Sequence, residues 1–276
     1  MRKIVRCNIC PRGCEIMEGR RGFCGGRMNK NGVVISQNYG KITSIALDPI
    51  EKKPLRCFHP GSYILSVGSF GCNLRCSFCQ NHRISMEKDP ADFLELEPDD
   101  LVEKAIELVP RGNIGIAYTY NEPLIGYEYV RDCALAASKK GMLNVVVTNG
   151  YINEDPLKEL LPFIDAFNID LKSFSKDFYR NIGGDLDVVK RSIKLAKTKS
   201  HVEVTTLIIG GENDSDDEMR ELSQWLASVD STIPFHITRF YPAYKMYDKK
   251  PTPTSTVKRL ALIARESLEN VFGDGY

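Results

Sequence analysis

From about residue 62 onward, short apolar segments rich in β-branched residues alternate with stretches of amphipathic helical period. The pattern predicts strands over 63–67, 113–118, 143–148, 166–171, 201–209 and 234–238. It predicts helices over 99–109, 123–140, 155–161, 187–198, 215–227 and 255–269. Leu101, Val102, Ala105 and Leu108 share one face of the first helix, and Gly141 stops the second. Ser215, with Glu218 three residues on, opens the fifth as a capping box. Strands and helices in this order demand right-handed β-α-β crossovers and a parallel sheet. The expected fold class is α/β, a partial (β/α)6 TIM-like barrel, two units short of a closed one. Such a barrel builds its site at the C-terminal strand ends.

The 276 residues suffice for one large domain with a small module beside it. Residues 1–40 read as a Cys-rich metal-binding module, 41–61 as a connecting segment and 62–276 as the barrel. With 37 basic and 36 acidic residues the net charge is +1. That leaves no basic footprint for nucleic acid and no polybasic patch for a membrane. There is no apolar run of about 18 residues, and no apolar signal segment follows the opening Met-Arg-Lys-Ile-Val. The chain is too long to need disulfide staples, so its nine cysteines suit a reducing, oxygen-poor cytoplasm.

Three of the cysteines, Cys72, Cys76 and Cys79, follow the first predicted strand at C-x3-C-x2-C spacing. Three thiolates hold three corners of a cubane cluster whose usual sites supply four. The fourth iron would then be open, and an open metal position distinguishes a reactive site from a structural one. A zinc site would need a fourth ligand, for which His82 is available. Polar residues gather at the other strand ends: Asn121 and Glu122 after the second, Thr148 and Asn149 after the third, Asp170 and Lys172 at the fourth, His236 in the sixth. Together they suit a zwitterion, a carboxylate meeting Lys172 or a hydroxyl and an ammonium meeting Glu122. Each has a simpler reading. Glu122 could cap a helix N-terminus, Asp170 and Lys172 could pair along one strand face, and His236 could be a hydrogen-bonded core histidine. A structural metal-binding protein would not need Glu122, Lys172 and His236 around one cavity, so the set favours an enzyme.

The triad, with Phe78 before its last cysteine, resembles the radical S-adenosylmethionine (SAM) motif. Asp48-Pro49-Ile50-Glu51-Lys52-Lys53-Pro54-Leu55, with Phe58, Pro60 and Gly61, is similar to the pyruvate formate-lyase activating enzymes. Cys79-Gln80-Asn81, the run Thr119–Pro123, the segment from Cys7 to Cys24 and Phe235–Pro242 look most like the radical SAM enzymes of AmmeMemoRadiSam systems. The resemblance covers nearly the whole chain. It implies that Cys72, Cys76 and Cys79 bind a [4Fe-4S] cluster whose fourth iron is chelated by SAM. Reductive cleavage then yields a 5′-deoxyadenosyl radical that takes hydrogen from a substrate. It places Phe78, Asn121, Glu122, Thr148, Asn149, Asp170, Lys172 and His236 around the cofactor. It implies a reductant such as flavodoxin or ferredoxin and, for an activase, a glycyl-radical enzyme as partner; a small molecule or other protein is the alternative substrate. Two departures stand out. Val147 replaces the acidic residue tied to a monovalent cation in activases, and Tyr120-Asn121 replaces a Gly-Gly pair.

Cys7, Cys10, Cys14 and Cys24 follow C-x2-C-x3-C-x9-C in a Gly-rich segment. Four soft ligands at this spacing read as a closed metal site that staples a module with little core. Pro11 after Cys10 is similar to ferredoxin loops, while the C-x2-C pairs are similar to zinc knuckles. Zinc is the first reading and an auxiliary [4Fe-4S] cluster the second. Cys57 and Cys133 have no partners by spacing, and Cys133 reads as a small buried hydrophobe.

Overall fold

The computed structural model describes residues 3–273; residues 1–2 and 274–276 lie outside. Six strands, β1 (Tyr63–Gly68), β2 (Asn113–Tyr118), β3 (Leu143–Thr148), β4 (Ala166–Asp170), β5 (His201–Ile208) and β6 (Phe235–Arg239), pair in chain order, all parallel. Helices α1 (Pro98–Glu107), α2 (Tyr127–Lys139), α3 (Glu154–Leu160), α4 (Leu186–Lys197), α5 (Asp216–Asp230) and α6 (Thr254–Ala264) follow them in turn. The sheet does not close on itself. The expected partial (β/α)6 barrel is therefore the observed one.

Two edge strands depart from the reading of the sequence. Ser44–Pro49, inside the stretch taken as a connecting segment, pairs antiparallel with β1. Val271–Phe272 pairs parallel with Phe235–His236 at the other edge. The second pairing explains why α6 stops at Ala264 rather than 269: the chain must turn back so that Asn270 O can accept from Phe235 N, at 2.8 Å. The predicted helix over 123–140 opens instead as a 3-10 turn, Pro123–Gly126, before α2 begins. Half of the capping box forms. Ser215 Oγ accepts from Glu218 N at 3.2 Å, but the Glu218 carboxylate accepts from Ser173 Oγ and Phe174 N instead.

Alternation along each strand divides the barrel into two environments. In β5, Val202, Val204 and Ile208 join the apolar layer beneath the helices. Glu203, Thr205 and Leu207 point the other way, into the barrel. At its N-terminal end the interior is small and apolar: Ile64, Ala117, Val145 and Ala166 pack with Ile50 and Leu55 in a separate cluster. The segment after Pro49 thus folds under the barrel and plugs it. Asn168 Nδ2 donates to Pro54 O at 2.8 Å. Glu203, with no solvent exposure, accepts from Arg56 N at 3.1 Å and Cys57 N at 2.8 Å. It also accepts from His201 Nε2 at 2.9 Å and His236 Nε2 at 2.6 Å.

Residues 3–40 form two antiparallel hairpins, Ile4–Arg6 with Glu15–Met17 and Arg27–Lys30 with Val33–Ser36. They rest directly on the barrel. The guanidinium carbons of Arg12 and of Arg75, which lies in the triad loop, stand 3.6 and 3.9 Å from the centre of the Phe23 ring. Asn153 N donates to Ile9 O at 3.0 Å.

Burial alone would raise the pKa of Glu203, but the two histidines and the backbone donors outweigh it and hold it down at about 2. A carboxyl depressed from 4.5 stabilises the fold above that pH and loses the contribution as pH falls toward 2. Glu203→Gln should therefore cost about 3 kcal/mol at pH 7. In urea unfolding, the gap to wild type should narrow between about pH 5 and pH 2. A gap that stays constant with pH would contradict this.

Candidate active site

A cavity of about 260 Å3 opens at the C-terminal ends of the strands. Its wall carries Cys72, Cys76 and Cys79 from the loop after β1, Glu122 after β2, Thr148 and Asn149 at the end of β3, and Asp170 and Lys172 at the end of β4. Phe78 and Asn121 line it as well. The strand ends thus bring together most of the residues singled out in the sequence.

Glu122 is 3% exposed and organises one side. Its carboxylate accepts from Leu124 N at 3.0 Å, capping the 3-10 turn, and from Thr148 Oγ1 at 2.7 Å and Asn149 N at 2.8 Å. Burial pushes its pKa up to about 7 against these donors. The simpler reading of Glu122 as a cap is thus realised, on a carboxylate that still faces the cavity. Asn149 Nδ2 donates to Asn73 Oδ1 at 2.9 Å and approaches Cys72 Sγ at 3.7 Å.

Lys172 Nζ donates to Asp170 Oδ2 at 2.8 Å. Burial opposes the ammonium charge, but the Asp170 carboxylate outweighs it and raises the Lys172 pKa. Asn121 clamps the triad loop: its Oδ1 accepts from Ser69 N at 2.9 Å, and its Nδ2 donates to Phe70 O and Gly71 O, each at 3.1 Å. One side-chain amide does here what backbone could do in a Gly-Gly version. Val147 puts an apolar group on the wall.

Two sequence candidates stand elsewhere. His236 is buried beside Glu203 and lines an adjoining cavity of about 310 Å3 rather than that of the triad. Its register partner Thr205 does reach the triad cavity, but the His236 ring is held on the buried Glu203 carboxylate, Nε2 to Oε2 at 2.6 Å. His82, the spare zinc ligand, stacks on Tyr244 at 4.7 Å and does not line the triad cavity. Met86 and Leu207 line the cavity without having been singled out; one comes from a loop folding back and the other from strand alternation.

Tyr120 is the residue whose conformation the sequence could not announce. Its φ of 71° lies in the left-handed region, a strain of about 1–3 kcal/mol for a side chain of this size. Its hydroxyl donates to Asp48 Oδ2 at 2.8 Å. Lys53 Nζ donates to the same oxygen at 2.9 Å and sits 4.7 Å from the centre of the Tyr120 ring. Burial raises the Asp48 pKa, but Lys53 and Tyr120 overcome it and bring it to about 2.

The donor set fits a multi-iron cluster. Burial, with Glu122 adding, pushes the Cys72 thiol well above its ordinary range, and burial pushes Cys76 to about 11. Such thiols stay protonated until a metal replaces the proton, since a coordinating thiol is deprotonated outright. Leu74 N donates to Cys72 Sγ at 3.4 Å, a bond that suits a cluster ligand. Among the described residues no group of three or more His, Cys, Asp or Glu is placed to hold a metal ion. The three thiols line one cavity of about 260 Å3, which has room for a cluster.

Asp48→Asn would leave the buried Lys53 without its counter-charge and should cost about 3 kcal/mol. Tyr120→Phe should cost about 1 kcal/mol. The double variant should lose less than the sum, because both remove the same hydrogen bond. Urea unfolding of the three variants measures this, and strict additivity would refute the shared contact.

A model of the radical SAM superfamily matches residues 66–226. The uncharacterized protein MJ0808 of Methanocaldococcus jannaschii is 43% identical over 274 residues, covering 97% of this chain and 80% of that protein. The pyruvate formate-lyase 1-activating enzyme of Escherichia coli K12 is 24% identical over 210 residues, 69% of this chain and 83% of the enzyme. A radical SAM methyltransferase from Sphaerobacter thermophilus has the same fold, with a TM-score of 0.59 at 15% identity over 100% of this chain and 78% of that one. No described helix is long and apolar enough to cross a membrane. With the three-cysteine cavity at the strand ends of a partial barrel and a family model spanning its core, this chain belongs to the radical SAM superfamily.

Proposed function

We propose that this protein cleaves SAM reductively and uses the resulting radical to take a hydrogen atom from a glycine of a partner protein. The convergence of three thiols, the Lys172 ammonium and the Glu122 carboxylate on one cavity carries the radical chemistry. Cys72, Cys76 and Cys79 would hold the [4Fe-4S] cluster, which with SAM supplies a 5′-deoxyadenosyl radical. Lys172 offers its charge to the methionyl carboxylate and Glu122 its oxygens to the methionyl ammonium. Phe78, Val147 and Leu207 supply the apolar wall that keeps water away from a radical. The glycyl-radical step draws its support from the similarity to the Escherichia coli activating enzyme and from the 48–55 segment that shapes the cavity mouth through Tyr120. A one-electron donor of the flavodoxin or ferredoxin class would serve as reductant.

The adjoining cavity favours a second reading. Gln80, Thr205, Leu207 and Thr238 line both cavities, so the two share a wall. Arg56, Arg239 and His236 line the further one, a setting for a small anionic substrate.

Under anaerobic reduction with SAM, the wild type should form 5′-deoxyadenosine and Cys72→Ala should fall to background. Lys172→Ala should lower kcat/KM for SAM by about 10- to 100-fold. Addition of a glycyl-radical enzyme should give a glycyl EPR doublet. If small anions stimulate 5′-deoxyadenosine formation and no protein partner does, the second reading replaces the first.

A further inference from the structure

The four cysteines of the N-terminal segment line one small cavity together with Arg12, Arg27 and Asn73. The family model begins beyond all four. Both arginines are partly satisfied. Arg27, 4% exposed, donates through Nη1 to Glu128 Oε2 at 2.5 Å and Ile125 O at 3.4 Å. Arg12 donates through Nη2 to Gly183 O at 2.5 Å and Asn73 O at 3.4 Å. The Nε of each is buried with no hydrogen-bond partner. Only three buried side-chain atoms among the described residues share that condition, and two of them belong to arginines that line this cavity. A buried donor left unmade is costly, more so on a charged group, so the pair calls for acceptors that come with a ligand.

Water does not supply them. The free space is about 10 Å3, room for one molecule at most, and the remaining wall is largely sulfur and hydrocarbon. Zinc bound by the four thiolates would bring no acceptor beyond those sulfurs themselves. An iron–sulfur cluster brings inorganic sulfides, which accept N–H bonds. Its insertion requires the sulfurs to move apart. Cys7, Cys10, Cys14 and Cys24 all lie outside the hairpin strands, in connecting turns that can accommodate the movement.

The position adds a consequence. Cys72 N donates to Cys24 O at 3.1 Å, so one hydrogen bond joins a cysteine of each set. Gly71 makes the approach possible: a Cβ there would stand 2.5 Å from Cys24 O. Asn73 touches both sets, lining the second cavity while accepting from Asn149, which in turn donates toward Cys72 Sγ.

We propose that Cys7, Cys10, Cys14 and Cys24 hold a [4Fe-4S] cluster, with the Arg12 and Arg27 Nε–H groups donating to its sulfurs, and that it exchanges electrons with the triad through the Cys24–Cys72 hydrogen bond. One electron from an external ferredoxin- or flavodoxin-class donor reduces it; passing that electron on reoxidises it and reduces the triad cluster, with no atom transferred. The electron exchange rests on the triad holding a cluster; the metal assignment does not.

The test uses full-length protein reconstituted anaerobically with iron and sulfide. Wild type should carry about eight irons and Cys72/Cys76/Cys79→Ala about four. The triad variant should retain a charge-transfer band that dithionite bleaches. One zinc and no iron in that variant, or no metal at all, overturns the assignment. Because the module is intact there, the test does not depend on the folding of a Cys7/Cys10/Cys14/Cys24→Ala variant. Loss of iron from that second variant alone, or from the triad variant alone, distinguishes failure here from failure of the radical SAM site. Reduced wild type should give an EPR spectrum broadened relative to the sum of the two single-cluster variants. A spectrum equal to that sum overturns the electronic coupling.

Discussion

Around the Glu203 carboxylate, which has no solvent exposure, the floor of the barrel is assembled. Taking that charge out of water costs several kcal/mol. Four donors offset the cost, two from backbone at Arg56 and Cys57 and two from His201 and His236. A hydrophobic side chain could fill the same space and be as stable. It could not fix the register of an irregular segment against a strand. Six strands that fail to close leave the barrel bottom open, and a loop brought there has few regular hydrogen bonds of its own. Glu203 supplies two of them, Asn168 supplies another through Pro54 O, and Leu55 and Ile50 then fill the apolar space.

The same stretch is tied to the site by a side chain that reaches down to it. Asp48, on the edge strand just before the plug, holds the Tyr120 hydroxyl and Lys53. Tyr120 in turn lines the triad cavity from a backbone conformation that a tyrosine adopts only when its surroundings enforce it. Floor and mouth are thus joined through the Tyr120 side chain. The run from Asp48 to Leu55 has a physical task independent of any partner: it closes the barrel below and fixes a side chain above.

The repeating units were legible because period-2 apolar runs and helical-period stretches are long and distinct. Ser44–Pro49 was not, because its Asp and Pro and its half-exposed pattern do not read as a strand until β1 lies beside it. Val271–Phe272 is too short for any period to register. At the site, Cys72, Glu122, Thr148 and Lys172 could be foreseen together since each follows or ends a strand, and strand ends share one rim. His236 broke that rule although its register partner Thr205 lines the cavity, because its ring is held on the buried Glu203 carboxylate. Asn121 was legible as a site residue but not as a clamp, since its partners at 69–71 depend on how one loop lies over another. Nothing in the spelling of Arg12 or Arg27 marks an unmet donor.

The triad loop itself has almost no regular structure, so its geometry is imposed from outside. Asn121 holds it from the β2 side, and Asn149 holds it from the β3 side through Asn73 of the loop. The N-terminal segment holds the third side: Cys24 O accepts from Cys72 N, and Arg75 Nη2 donates to Phe23 O. Reactive sites need their ligands fixed by neighbours that are themselves fixed. The cysteine-rich segment is therefore part of the scaffold that shapes the triad, and the absence of a side chain at Gly71 is what lets it come close enough to do so.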